Sequence, residues 1–122
     1  MSIFRGLLGA FYYGKALGKF YRRQYSDAAR LFEMICGLQS EKDRKQLSYF
    51  YLGRSYVALR RYNEALDAMS KAYKLFEKRH ETSKDPSEVQ QFKDFLSIYS
   101  TLLRSMGQID CAKDVERRQA EL

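Results

Sequence analysis

A chain of 122 residues with 45% apolar and 15% aromatic side chains is long enough to bury a core of its own without a metal or disulfide staple. A single proline and abundant Leu, Ala, Tyr, Lys, Glu and Arg favour helix, and the close-spaced turn signals of an all-β fold are missing, so the expected class is all-α. Net charge is +7, carried unevenly: residues 1–80 hold 16 Lys and Arg against 7 Asp and Glu, residues 81–122 hold 6 against 8, and the first acid is Asp27.

A front this basic attracts anionic surfaces through a salt-sensitive field. Cys36 and Cys111 form no C-x-x-C pair and read as small buried hydrophobes, which fits a reducing, cytoplasmic compartment. The run from Gly6 to Tyr13 is too short to span a bilayer, and its tyrosines and the following Lys15 and Lys19 break the pattern of a secretory signal. It reads instead as part of the first helix.

Six helices follow from periodicity. The first covers about Phe4 to Arg22, with Phe4, Leu7, Leu8, Phe11, Tyr12, Lys15 and Ala16 as its buried stripe. Gly6, Gly9, Gly14 and Gly18 weaken this helix by about 1 kcal/mol each, so close packing has to compensate. The second runs from about Ser26 to Gly37, with Ala28, Leu31, Phe32 and Ile35 inward and Gly37 as its stop.

The third, about Glu41 to Arg60, turns Tyr49, Leu52, Gly53, Tyr56 and Leu59 inward. The fourth, about Asn63 to Arg79, does the same with Ala65, Leu66, Met69, Ala72, Tyr73 and Phe76. Their connection is so short that the two must be antiparallel neighbours. After a polar break at Glu81–Asp85, the run Asp85-Pro86-Ser87-Glu88 reads as a helix start with proline at the first position and a capping box closed by Glu88. That fifth helix reaches about Met106, Gly107 ends it, and a sixth runs from about Asp110 to Ala120.

Two stretches repeat each other, Tyr25-Ser26-Asp27-Ala28-Ala29-Arg30-Leu31-Phe32 and Tyr62-Asn63-Glu64-Ala65-Leu66-Asp67-Ala68-Met69, with a weaker copy at Ile109-Asp110-Cys111-Ala112. Self-similarity at such a period marks one supersecondary unit stacked on itself. The middle copy, Tyr49, Leu52-Gly53, Tyr56, Tyr62, Ala65, Met69 and Ala72, resembles the tetratricopeptide repeat family nearly throughout. The first copy keeps Tyr12, Ala16, Tyr25, Ala28 and Phe32; the third keeps Leu103, Gly107, Ile109 and Ala112.

The resemblance implies a right-handed superhelical array of three antiparallel helix pairs in one domain, with repeats at about 4–38, 41–79 and 86–121. Gly53 and Ala65 are expected to face each other where the middle pair crosses. Two departures stand out. Arg23 and Arg60 occupy the family's turn glycine, so those turns either carry strain or close differently, and the prolines that end each unit are missing.

In the resembled family the first helix of each pair lines a concave groove. Carried over, its groove positions are Tyr13, Leu17, Phe20 and Tyr21, then Phe50, Arg54 and Val57, then Thr101 and Arg104. Tyr13, Phe20 and Phe50 are expected to be partly exposed there, against the alternative that such aromatics are core. The clamp that some members use on a chaperone's C-terminal carboxylates is not carried over, since Tyr13, Leu17, Tyr51 and Asp94 stand at its positions. An aromatic groove with arginines suits an amphipathic or acidic-aromatic segment instead.

No sequence feature calls for a metal or cofactor. His80 is the sole histidine and reads as a helix C-terminal residue, and there is no phosphate loop and no nucleophile elbow. An enzyme is therefore not expected. Three readings follow: a cytoplasmic module that binds a protein partner; an immunity or chaperone-like protein that neutralises one dedicated partner such as a toxin; and a binder of membrane or nucleic acid through Arg5, Lys15, Lys19, Arg22 and Arg23. Oligomeric state stays open.

Overall fold

A computed structural model describes residues 2–122 as α1 (Ser2–Tyr21), α2 (Tyr25–Leu38), α3 (Lys45–Ala58), α4 (Tyr62–Thr82), α5 (Pro86–Ser105) and α6 (Ile109–Glu121), with a 3-10 turn at Glu41–Asp43 and no strand among the described residues. The fold is all-helical and repeat-like. Two compact units divide the chain, Met1–Leu75 and Phe76–Leu122, with the boundary inside α4.

In the first unit α1 packs on α2 and α2 on α3. Ala28, Phe32, Ile35, Ala65 and Met69 are fully buried, at the positions where the helical period puts the inward stripe. Of the inward stripe expected for α1, only Ala16 is buried. Phe4, Leu7 and Phe11 are exposed, while Gly9, Ala16 and Phe20 are buried. Gly9 explains part of the choice: a Cβ there would stand 3.1 Å from Gln39 Cγ, whereas Gly14 and Gly18 have open space beside them and need no such approach. Gln39, itself buried, is held there by the Ser48 hydroxyl, which donates to Gln39 Oε1 at 2.6 Å.

Two further boundaries differ from the sequence reading. Gly37 lies inside α2, which ends one residue later as Gln39 turns extended (φ −78°, ψ 145°). The third helix is interrupted, because Arg44 adopts the left-handed conformation (φ 60°, ψ 43°) between the 3-10 turn and α3. That turn is fastened by the Ser40 amide, which donates to Asp43 Oδ2 at 2.9 Å. At the α3–α4 crossing the side chain nearest Gly53 belongs to Met69 rather than Ala65, and a Cβ there would meet Met69 Cε at 2.9 Å.

The second unit holds α5 and α6 with the end of α4. Phe76 stacks on Phe92 (5.3 Å between ring centres) and Phe95 (4.8 Å). Pro86 starts α5, but Glu88 does not close a capping box: its Oε1 accepts Arg79 Nε and Nη2 at 3.0 and 2.7 Å. The local cap yields to a charge-assisted fork, the stronger bond. A second fork joins Arg118 to Glu77, with both contacts at 2.8 Å.

The three hairpin turns share one hydrogen-bond pattern. Gln24 N–H reaches Lys19 O and Arg23 N–H reaches Phe20 O; Arg61 reaches Tyr56 and Arg60 reaches Val57; Gln108 reaches Leu103 and Gly107 reaches Arg104, all at 2.8–3.0 Å. Each is a Schellman closure around a left-handed residue, at Arg23 (φ 62°), Arg60 (φ 60°) and Gly107 (φ 78°). The two arginine turns therefore close as the glycine turn does, and carry strain. Relieving that strain by Arg23→Gly or Arg60→Gly is expected to stabilise the protein by about 1 kcal/mol, the left-handed penalty less glycine's extra unfolded-state entropy. A higher urea midpoint at unchanged slope would show it.

Candidate partner-binding surface

Adjacent residues on a helix point about 100° apart, and Tyr12 and Tyr13 face different neighbours. Tyr12 lies edge-on to Phe11 at 5.2 Å, whereas Tyr13 turns inward to Phe32 at 6.0 Å and Tyr51 at 6.5 Å. Two turns further on, Phe20 meets Tyr25 at 5.5 Å and Tyr51 at 5.2 Å. The α1–α3 contact is thus built from rings. Five of the nine groove positions, Tyr13, Phe20, Tyr21, Phe50 and Arg54, gather in this cluster.

Its hub is Tyr51, a residue that sequence reasoning treated only as a missing clamp position. Its ring stacks on Phe32 (5.7 Å, 13° between planes), and its hydroxyl lies 2.9 Å from that of Tyr21. The signal was present in the spacing: Phe50 and Tyr51 stand four and three residues before Arg54, the separations at which helical side chains meet. The Arg54 guanidinium lies 5.0 Å from the Phe20 ring, 5.4 Å from Phe50 and 5.3 Å from Tyr51. Such a cation over ring faces is held by the ring quadrupoles and leaves its N–H edges for another group. No described carboxylate pairs with Arg54.

Burial corrects part of the expectation. Phe20 and Phe50 are 8% and 7% exposed and belong to the core, Tyr13, Leu17, Arg54 and Val57 are half-buried, and Tyr21 is 65% exposed. The inward rings keep their protons well into the alkaline range: burial, then the charge of Tyr21, pushes the Tyr13 phenol up to about 12, and burial followed by the Tyr21 hydrogen bond raises that of Tyr51.

Thr101 and Arg104 are exposed on α5, in the second unit. Thr101 Oγ1 donates to Ser97 O at 2.9 Å. Arg104 forks onto Glu116 at 2.6 Å through both Nε and Nη2, a bond that lowers the Glu116 pKa. A ligand using Arg104 has to displace that carboxylate.

A cleft of about 710 Å³ opens elsewhere on the first unit, between α2, α3 and α4, lined by Glu33, Cys36, Tyr49, Tyr56, Asp67 and Lys71 among others. None of the groove positions lines it: Tyr49, Leu52 and Tyr56 stand about 125° around α3 from Phe50, Arg54 and Val57. Its three carboxylates are all engaged. The Tyr56 hydroxyl donates to Glu33, Lys71 pairs with Asp67 at 3.0 Å, and Arg61 holds Glu64. Burial pushes the Cys36 thiol up to about 12, which leaves almost no thiolate to attack anything at neutral pH.

No three or more His, Cys, Asp or Glu among the described residues are grouped so as to hold a metal ion. The α1–α3 surface offers an arginine with open edges, flat rings behind it and exposed tyrosine hydroxyls beside it. Scans against protein-family models and searches of curated proteins and of solved structures return no match to this chain.

Proposed function

We propose that this chain is a non-enzymatic, tetratricopeptide-type module of the cytoplasm that binds an acidic-aromatic segment of a protein partner on the α1–α3 surface. The observation that carries this reading is Arg54, spread over three rings with no carboxylate of its own among the described residues. A half-buried arginine on an aromatic platform is the kind of residue that dominates an interface, and a carboxylate is its natural forked partner. The shared turn pattern at Arg23, Arg60 and Gly107 and the fully buried Ala28, Ala65 and Ala112 support the repeat assignment. Two free thiols fit a reducing compartment.

Selection of a random displayed-peptide library on the wild-type protein should enrich sequences that combine Asp or Glu with an aromatic residue. Their affinity should fall by about 2 kcal/mol on Arg54→Ala, and by a smaller amount on Tyr21→Phe, which keeps the ring. Peptides without acidic bias, or equal binding to the Arg54→Ala protein, would refute this reading.

A further inference from the structure

α1 presents a second surface, and the partner-binding reading makes no use of it. Tyr13 lies two residues beyond Phe11 and so points about 200° away from it. While Tyr13 faces the interior, Ile3, Phe4, Leu7 and Phe11 stand 78%, 64%, 64% and 66% exposed. Four large apolar side chains left in water within three turns of one helix make a contiguous patch, which calls for an explanation that a single exposed leucine does not. Leu7, Phe11, Lys15 and Lys19 succeed each other at four-residue spacing, so one ridge runs from apolar to basic, ending beside Arg22.

We propose that this outer face of α1 docks on the surface of an anionic phospholipid bilayer, with Ile3, Phe4, Leu7 and Phe11 in the acyl boundary and Lys15, Lys19 and Arg22 at the headgroups. Charge complementarity selects this occupant. No acid precedes Asp27, and juxtaposed apolar and basic side chains on one helix are what an interfacial helix needs, since long cationic stems reach back to the phosphates.

Other occupants fit less well. A second copy of this face brings no acid to answer Lys15, Lys19 and Arg22, and nucleic acid would leave the four apolar side chains unused. A partner helix is received in a groove, whereas none of the four lines the cleft between α2, α3 and α4 or the smaller one bordered by Gly6, Tyr13, Gln39 and Leu47. No helix among the described residues is long and apolar enough to cross a membrane, so α1 would lie along the interface.

The test is co-sedimentation of the full chain with vesicles of phosphatidylcholine alone and of equal parts phosphatidylcholine and phosphatidylglycerol. Wild type should bind the mixed vesicles, and its affinity should fall several-fold between low and physiological salt. Leu7→Glu/Phe11→Glu should melt like wild type, because both side chains are exposed, and bind at least about tenfold more weakly. Lys15→Gln/Arg22→Gln should lose several-fold and show a flatter salt dependence.

The proposal is overturned if wild type ignores mixed vesicles at low salt, if the glutamate variant binds as well as wild type, or if that variant unfolds, which would make the stripe core. It is overturned equally if wild type sediments as a dimer that the glutamate variant converts to monomer, which gives the face to a second copy. Binding to duplex DNA that survives the glutamate variant, without vesicle binding, would give the basic residues to nucleic acid.

Discussion

Phe20→Ala is expected to cost about 3 to 5 kcal/mol, the range for a buried aromatic, and Phe50→Ala close to the same. Phe20 is 8% exposed, with the rings of Tyr21, Tyr25 and Tyr51 at 5.3, 5.5 and 5.2 Å and Arg54 over its face at 5.0 Å. Removing it opens a cavity between α1 and α3 and strips Arg54 of one of its three ring supports. Read from sequence alone, the same ring is expected to be partly exposed in the groove, against the alternative that it is core. Urea denaturation separates the two: a loss under about 1 kcal/mol would return Phe20 to the surface.

The second large effect lies at the α3–α4 crossing. Gly53→Val is expected to destabilise by about 2 to 3 kcal/mol, and Ala65→Leu by about 1 to 3. A Cβ at position 53 would already stand 2.9, 3.0 and 3.1 Å from Met69 Cε, Cγ and Sδ, and valine adds two methyl groups to that crowding. The flexible end of Met69 can swing aside, but its Cγ cannot move far without moving α4. Ala65 and Met69 are both fully buried, so neither site has room to absorb the extra volume. Pairing Gly53→Val with Met69→Ala should recover part of the loss, since neighbouring sites couple. Equal urea midpoints for Gly53→Val and wild type would dismiss the close crossing.

Much of the helical scaffold was legible because it depends on local rules. Pro86 opens α5 and Gly107 stands left-handed after its end, as their fixed or free φ angles require. The inward stripe of α2 and α4 follows the 3.6-residue period. Sequence also grouped Tyr13, Phe20, Tyr21, Phe50 and Arg54, although the means was a family's groove positions. Their exposures were not legible, because burial depends on what stands opposite, and Tyr51 became the hub only once Phe32, Tyr13 and Tyr21 had been brought around it.

Composition and periodicity by themselves determined that the chain is helical, where its hairpins turn, and that its basic charge is concentrated in front. Which side of α1 faces inward was decided only by tertiary packing. Periodicity measures apolar area and points to Phe4, Leu7 and Phe11. Of the expected stripe only Ala16 is buried, and the helix is held by it together with Gly9, against Gln39, and Phe20, within the aromatic cluster. Close approach favours small residues where a neighbouring backbone or side chain needs the space, a steric preference that no hydrophobic count records. The same packing sets Arg54 on three rings, and leaves the larger apolar side chains of α1 outside.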